Sequence, residues 1–123
     1  MKKKILVIDD ELDVSGLLKI RLEANNFDVA TAADGEEGLE KAEQERPDLI
    51  ILDVMMPKMD GYTFVREIRT YEHLRQIPII ILTAKEGMKD LFAIEGVCDY
   101  VNKPYEIDDL LKKIHKNMKK DGA

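Results

Sequence analysis

Three unbroken aliphatic runs set the terms on which this chain can fold: Ile5–Ile8 (ILVI, in the strand Lys4–Ile8), Leu49–Leu52 (LIIL) and Ile79–Leu82 (IIIL). None has helical periodicity and none alternates apolar with polar, so each reads as a strand buried on both faces. Strands of that kind need cover front and back, which a parallel sheet receives from helices on its two sides.

The segments between the runs supply those helices. After the first strand, Val14, Leu17, Leu18 and Leu22 form one apolar stripe at helical spacing. Asn25-Asn26 ends that helix, and Asp28–Ala32 (DVATA) reads as a weaker strand. Asp34-Gly35 turns the chain into a second helix, running to about Gln44 with Leu39 and Ala42 inward. Arg46-Pro47-Asp48 stops it and feeds the central strand. A third helix after Asp60-Gly61 packs Phe64, Val65 and Ile68. A short helical stretch follows the IIIL strand at about Met88 to Ile94, closed by Gly96. Tyr100–Asn102 makes a fifth strand, and a last helix from about Glu106 to Met118 turns Ile107, Leu110, Leu111, Ile114 and Met118 inward. Its other face carries Lys112, Lys113, Lys116, Lys119 and Lys120, a solvated face compatible with the helix dipole. Strand and helix alternate five times with short connections, so the expectation is a single α/β domain with right-handed crossovers.

Composition narrows the function classes. The 123 residues suffice for a proper core, and 45% hydrophobic with 36% charged residues describes a globular chain. Nineteen Lys and Arg against 25 Asp and Glu leave a net charge of −6, so direct nucleic-acid binding is not expected. The apolar runs fall far short of a membrane span, and Asp9 and Asp10 cut off any signal-peptide core. The single cysteine, Cys98, fits a reducing cytoplasm and reads as a small packed side chain.

The strand ends carry the chemistry. The first, third, fourth and fifth strands finish on Asp9-Asp10, Asp53, Thr83 and Lys103. Singly, Asp10 or Thr83 could cap a helix or turn, and Lys103 could be a surface lysine. In a parallel sheet, however, all of these ends lie on one edge and can share a crevice. Carboxylates packed there repel by about 4 kcal/mol per close pair at an effective dielectric near 20. A divalent cation removes that cost, and an all-oxygen set without histidine suits Mg²⁺. A carboxylate nucleophile, a metal, a lysine and a hydroxyl together are equipment for phosphoryl transfer.

On those residues the sequence resembles the receiver (CheY-like) domain of two-component response regulators. The resemblance rests on Asp9-Asp10 after ILVI, Asp53 in LIILDVMMPKMDG, Thr83-Ala84 after IIIL, and Tyr100 with Lys103-Pro104 in DYVNKPY. It covers about residues 4 to 118. It implies a doubly wound, flavodoxin-like (βα)5 fold with a five-stranded parallel sheet of order 2-1-3-4-5. Asp53 is then the phosphoacceptor, receiving the phosphoryl group from a phosphohistidine of a sensor histidine kinase or histidine phosphotransfer protein. Asp10, Asp53 and the backbone carbonyl of Met55 ligate Mg²⁺, and Asp9 acts at close range, commonly through water. Lys103 pairs with the phosphoryl oxygens, Thr83 moves its hydroxyl onto the new phosphate, and Tyr100 swings inward behind it. That movement re-presents the fourth helical stretch, the fifth strand and the last helix to a downstream protein target. The resemblance also implies a cis Lys103–Pro104 peptide. The chain is expected to be a phosphorylation-controlled switch and not an enzyme in the ordinary sense, monomeric or weakly dimeric, either standing alone or excised from a longer regulator.

The sequence departs from that family between the fourth and fifth strands. Thr83 to Tyr100 spans 17 positions, a shorter step than the family commonly shows, and Val97-Cys98 replaces the usual small and polar residues. A clipped helix there is expected to alter the family's dimer and output face. Met55 and Lys85 lie where relatives tune the attacking water, and neither offers an amide or carboxylate, which implies a longer-lived phosphoaspartate. Met56, Met59 and Met88 read as rim packing, and His73 and His115 lie outside the site.

Three rivals use parts of the same equipment. A haloacid-dehalogenase-like phosphatase wants a second Asp where Met55 stands. A flavodoxin wants a hydroxyl-rich phosphate loop where Asp9-Asp10-Glu11 stands. A receiver that works without phosphorylation does not need the acidic pair, Thr83 and Lys103 together.

Overall fold

The computed structural model describes residues 2–53, 61–83, 99–102 and 105–122. In chain order these form β1 (Lys4–Ile8), α1 (Leu12–Ala24), β2 (Asp28–Ala32), α2 (Gly35–Glu45), β3 (Leu49–Asp53), α3 (Gly61–Ile68), β4 (Ile79–Thr83), β5 (Asp99–Asn102) and α4 (Ile107–Gly122). The five strands make one parallel sheet in the order β2-β1-β3-β4-β5. The strand order reverses direction at β1 and β3, which places a crevice outside their carboxyl ends.

Period-two alternation explains why the aliphatic runs are continuous: each strand feeds two cores. Leu6, Ile8, Ile50, Leu52, Ile79 and Ile81 face Ala42 of α2 and Phe64, Val65 and Ile68 of α3. Ile5, Val7, Leu49, Ile51, Ile80, Leu82 and Val101 face Leu18 and Leu22 of α1 and Leu110, Ile114 and Met118 of α4. All the strand residues of the first set are fully buried, as expected of a sheet covered on both sides.

The inward face of α1 differs from the sequence expectation. Leu18 and Leu22 are buried, but Leu17 is 54% exposed and its place in the stripe is taken by Ser15. The Ser15 hydroxyl donates to the Leu12 carbonyl at 3.2 Å, so a polar residue can be buried there at little cost. Leu12 and Ile20 are exposed as well.

Local chemistry fixes the other boundaries. Asp34 caps α2 by accepting from the Glu37 N–H at 2.9 Å, while the Glu37 carboxylate accepts from the Ala33 N–H at 2.8 Å. This is a capping box shifted by one residue, legible in Asp34-Gly-Glu-Glu37. Arg46 ends the helix in the left-handed region, with φ 48°. Between α3 and β4, the Arg69 guanidinium donates to the carbonyls of Arg75 and Ile77 at 2.8 and 3.2 Å. That staple tucks Leu74 fully into the core, a residue the helical and strand periodicities do not single out.

Candidate functional site

β1 and β3 are hydrogen-bonded neighbours, with Ile8 opposite Leu52, so the residues that follow them emerge side by side. Asp53 is the last residue of β3 and is 6% exposed; Asp9 follows β1 and is 1% exposed. The Asp9 main chain is tied to the end of β2, its N–H donating to the Ala32 carbonyl at 3.0 Å. Its Oδ1 accepts from the Glu11 N–H at 2.9 Å, closing a tight turn into α1. Glu11 occupies the N-cap of α1 with no side-chain cap bond. Asp10 therefore does not cap the helix; it is exposed at the mouth of the crevice.

One carboxylate oxygen from each of Asp9, Asp10 and Asp53 can be chosen so that all three lie within 4.8 Å of one another. Two of these groups are buried, so their mutual repulsion is only weakly screened by solvent. Among the described residues this is the one cluster of metal-ligating side chains of that size, and it is all oxygen. Hard divalent cations prefer such donors, and Mg²⁺ in particular keeps several waters, which the exposure of Asp10 allows. The donor set thus fits the metal implied by the sequence.

Thr83 is the last residue of β4, opposite Asn102 of β5, and β4 lies directly beside β3 with Leu82 opposite Asp53. Its backbone therefore ends on the same sheet edge as the acidic cluster. Tyr100 lies in β5 opposite Ile81, half-buried against the core formed with α2 and α3. Met55, Lys85, Lys103, Met56, Met59, Met88, Cys98 and the Lys103–Pro104 bond lie outside the described residues, as does the fourth helical stretch. His73 and His115 are remote from the cluster in their contacts. His73 Nε2 pairs with Glu43 Oε1 at 2.7 Å, and the His115 ring packs on Phe27 with centroids 5.7 Å apart.

A groove of about 340 Å³ runs between α1 and the start of α4, lined by Val14, Leu17, Leu18, Arg21, Tyr105, Glu106 and Ile107. The sequence reading assigned Leu17 to the core and so missed this surface. Among the described residues no helix is long and apolar enough to cross a membrane.

Residues 5–115 match the family model of the response regulator receiver domain. The chain is 49% identical over 107 residues to the alkaline phosphatase synthesis transcriptional regulatory protein PhoP of Bacillus subtilis, covering 85% of this chain and 44% of that protein. It spans less than half the length of that relative. Among solved structures, chemotaxis protein CheY4 of Vibrio cholerae superposes with a TM-score of 0.89 at 33% identity, covering 94% of this chain and 98% of that one. The receiver domain of sensor histidine kinase PA1611 from Pseudomonas aeruginosa, described with a magnesium ion coordinated in its active site cleft, gives 0.88 at 31% identity, covering 96% and 98%. With the match extending over nearly the whole chain and through the acidic strand ends, this chain belongs to the response regulator receiver family.

Proposed function

We propose that this chain is a phosphorylation-controlled switch whose phosphoacceptor is Asp53 and whose phosphodonor is a phosphohistidine on a kinase or phosphotransfer protein. The observation that carries the reading is the convergence of Asp9, Asp10 and Asp53 within 4.8 Å at the carboxyl edge of β1 and β3. Receiver domains are regulatory switches phosphorylated by histidine kinases, and they typically bind Mg²⁺ at an acidic pocket of this kind.

Asp53 is held rigidly at the end of a buried strand, which suits a nucleophile that must meet phosphorus in line. An Asp53 carboxylate oxygen forms the new O–P bond as the donor's N–P bond breaks, leaving a neutral imidazole on the donor. Asp9, Asp10 and Asp53, with the Met55 carbonyl, would hold Mg²⁺, which would neutralise charge on the phosphoryl oxygens. Lys103 supplies a second positive charge to those oxygens. The Thr83 hydroxyl binds the new phosphate, and Tyr100 moves inward in response.

The groove beside α1 favours a protein donor over a small metabolite alone. It is partly apolar, includes exposed Leu17, and has as one wall α1, the helix into which the Asp9 turn leads. Leu17→Glu is expected to reduce phosphotransfer from a phosphohistidine protein while sparing uptake from a small donor. Equal loss with both donors contradicts that role.

The haloacid-dehalogenase-like alternative loses support with family membership. The direct test is incubation with acetyl phosphate and Mg²⁺ followed by intact mass. One added phosphoryl group on the wild type, absent from Asp53→Ala, is expected. No addition to the wild type, or an undiminished one on the variant, overturns the reading.

A further inference from the structure

α4 is joined to β5 by more than apolar packing. Alternation along β5 turns Val101 toward α1 and α4 and Tyr100 toward the opposite core. Asp99 shares the parity of Val101, and its side chain meets two residues of α4, Lys113 and Asn117. These stand one helical turn apart, beside the buried positions Leu110, Ile114 and Met118.

The contacts bracket the main chain of Tyr100. Its N–H donates to Asp99 Oδ1 at 2.9 Å, and its carbonyl accepts from Lys113 Nζ at 2.6 Å. The same ammonium stands 3.6 Å from Asp99 Oδ1. Asn117, only 1% exposed, donates from Nδ2 to the Lys113 carbonyl at 2.8 Å and approaches Asp99 Oδ2 at 3.4 Å. Lys113 thus does more than decorate a solvated lysine face.

We propose that Lys113 is a positioning residue that ties the main chain of Tyr100 to α4, so that displacement of Tyr100 is transmitted to that helix. The proposal rests on the reading that phosphorylation of Asp53 moves Tyr100. A charged hydrogen bond of 2.6 Å tolerates little extension. A shift of β5 by about an ångström therefore draws the ammonium with it or breaks the bond, and either change alters how α4 is held against β5. The Asp99 carboxylate keeps the ammonium in place when the bond to the carbonyl is lost. Asn117 fixes the carboxylate, because a buried amide costs free energy if its bonds are given up.

The test compares wild type, Lys113→Met and Lys113→Arg. Methionine keeps most of the packed stem and removes the charge; arginine keeps the charge and a donor. Intact mass after acetyl phosphate and Mg²⁺ is read for each. Backbone amide shifts are then recorded with and without beryllofluoride and Mg²⁺, which imitate the acyl phosphate.

All three proteins are expected to accept the phosphoryl group and to show shift changes around Asp9, Asp53 and Tyr100. In Lys113→Met the changes across residues 107–118 are expected to fall by about threefold or more, and Lys113→Arg to restore them. Undiminished changes in Lys113→Met overturn the proposal, as does a silent α4 in a wild type that responds at Tyr100. A wild type that takes up no phosphoryl group removes the functional reading, and this inference with it. If Lys113→Met does not fold, Lys113→Leu replaces it, with the same expectation and the same contrary result.

Discussion

Arg46 holds φ 48° and ψ 60° at the end of α2, a left-handed conformation that an L-residue with a Cβ adopts at a cost of about 1–2 kcal/mol. Its side chain offers little in return, a 3.4 Å contact from Nε to the Glu43 carbonyl. Arg46→Gly removes the strain but widens the unfolded ensemble, so a net gain of about 0.5 kcal/mol is expected by chemical denaturation. Loss of stability contradicts this reading of the cap. Within the acidic cluster the three carboxylates are not equivalent. Asp53 and Asp9 are buried and Asp10 is exposed, and Asp10→Asn removes a proposed ligand without disturbing the turn made by Asp9. A fall in Mg²⁺ affinity of about tenfold or more is expected by titration, with little change in melting temperature. An unchanged affinity removes Asp10 from the ligand set.

Two glycines on helices that cover opposite faces of the sheet make opposite demands. A Cβ added at Gly16 of α1 meets nothing within 4 Å, whereas one at Gly38 of α2 comes within 2.5 Å of Ile8 Cδ1 and 3.2 Å of Phe64 Cε1. Gly16→Ala should raise stability by about 0.5–1 kcal/mol through helix propensity alone. Gly38→Ala gains the same propensity but must displace fully buried Ile8, and a net loss of about 1 kcal/mol is expected. Thermal denaturation of the pair checks both, and equal signs contradict the packing described. At this scale the sequence was an uneven guide. The aliphatic strands were legible because both their faces are apolar, and the stripe of α4 because every apolar position in it packs on the core. The stripe of α1 was not, because Ser15 is buried through its bond to the Leu12 carbonyl while Leu17 is left outside. Periodicity counts apolar residues, and it registers neither a satisfied hydroxyl nor a leucine kept at a surface. The same blindness hid the Lys113 contacts, since a lysine flanking a buried stripe looks like any other on a solvated face.

The molecule separates its chemistry from its stapling. The carboxyl edge of the sheet gathers Asp9, Asp10 and Asp53, while the opposite edge is closed by charge pairs around Lys4. There the Lys4 ammonium meets Glu45 Oε1 at 2.7 Å, and the Lys4 N–H donates to the Asp48 carboxylate at 2.8 Å. The hydrogen bond from Lys4 holds the Glu45 carboxyl below its ordinary range, and the same bond raises the lysine above its own. A depressed carboxylate contributes stability above its unfolded pKa and loses it as pH falls through the folded value. A raised lysine contributes below its unfolded pKa and loses it as pH rises through the folded value. Glu45→Gln should therefore lower the melting temperature slightly at neutral pH and have no such effect well below the carboxylate range, as denaturation profiles across pH will show. A difference that persists in strong acid contradicts the pairing. The parallel α/β architecture was legible from the alternation of runs and stripes, since few topologies cover so many doubly buried strands. The acidic part of the site was legible for a related reason: a parallel sheet sends every strand end to one edge, so Asp9, Asp10 and Asp53 had to converge. Of these carboxylates, Asp53 is the proposed acceptor of the phosphoryl group. Borohydride reduction of the protein after acetyl phosphate and Mg²⁺, followed by peptide mapping, converts the acyl-phosphate residue to homoserine and locates it. Homoserine at position 53 alone is the expected result; homoserine at Asp9 or Asp10, or none at all, contradicts the account.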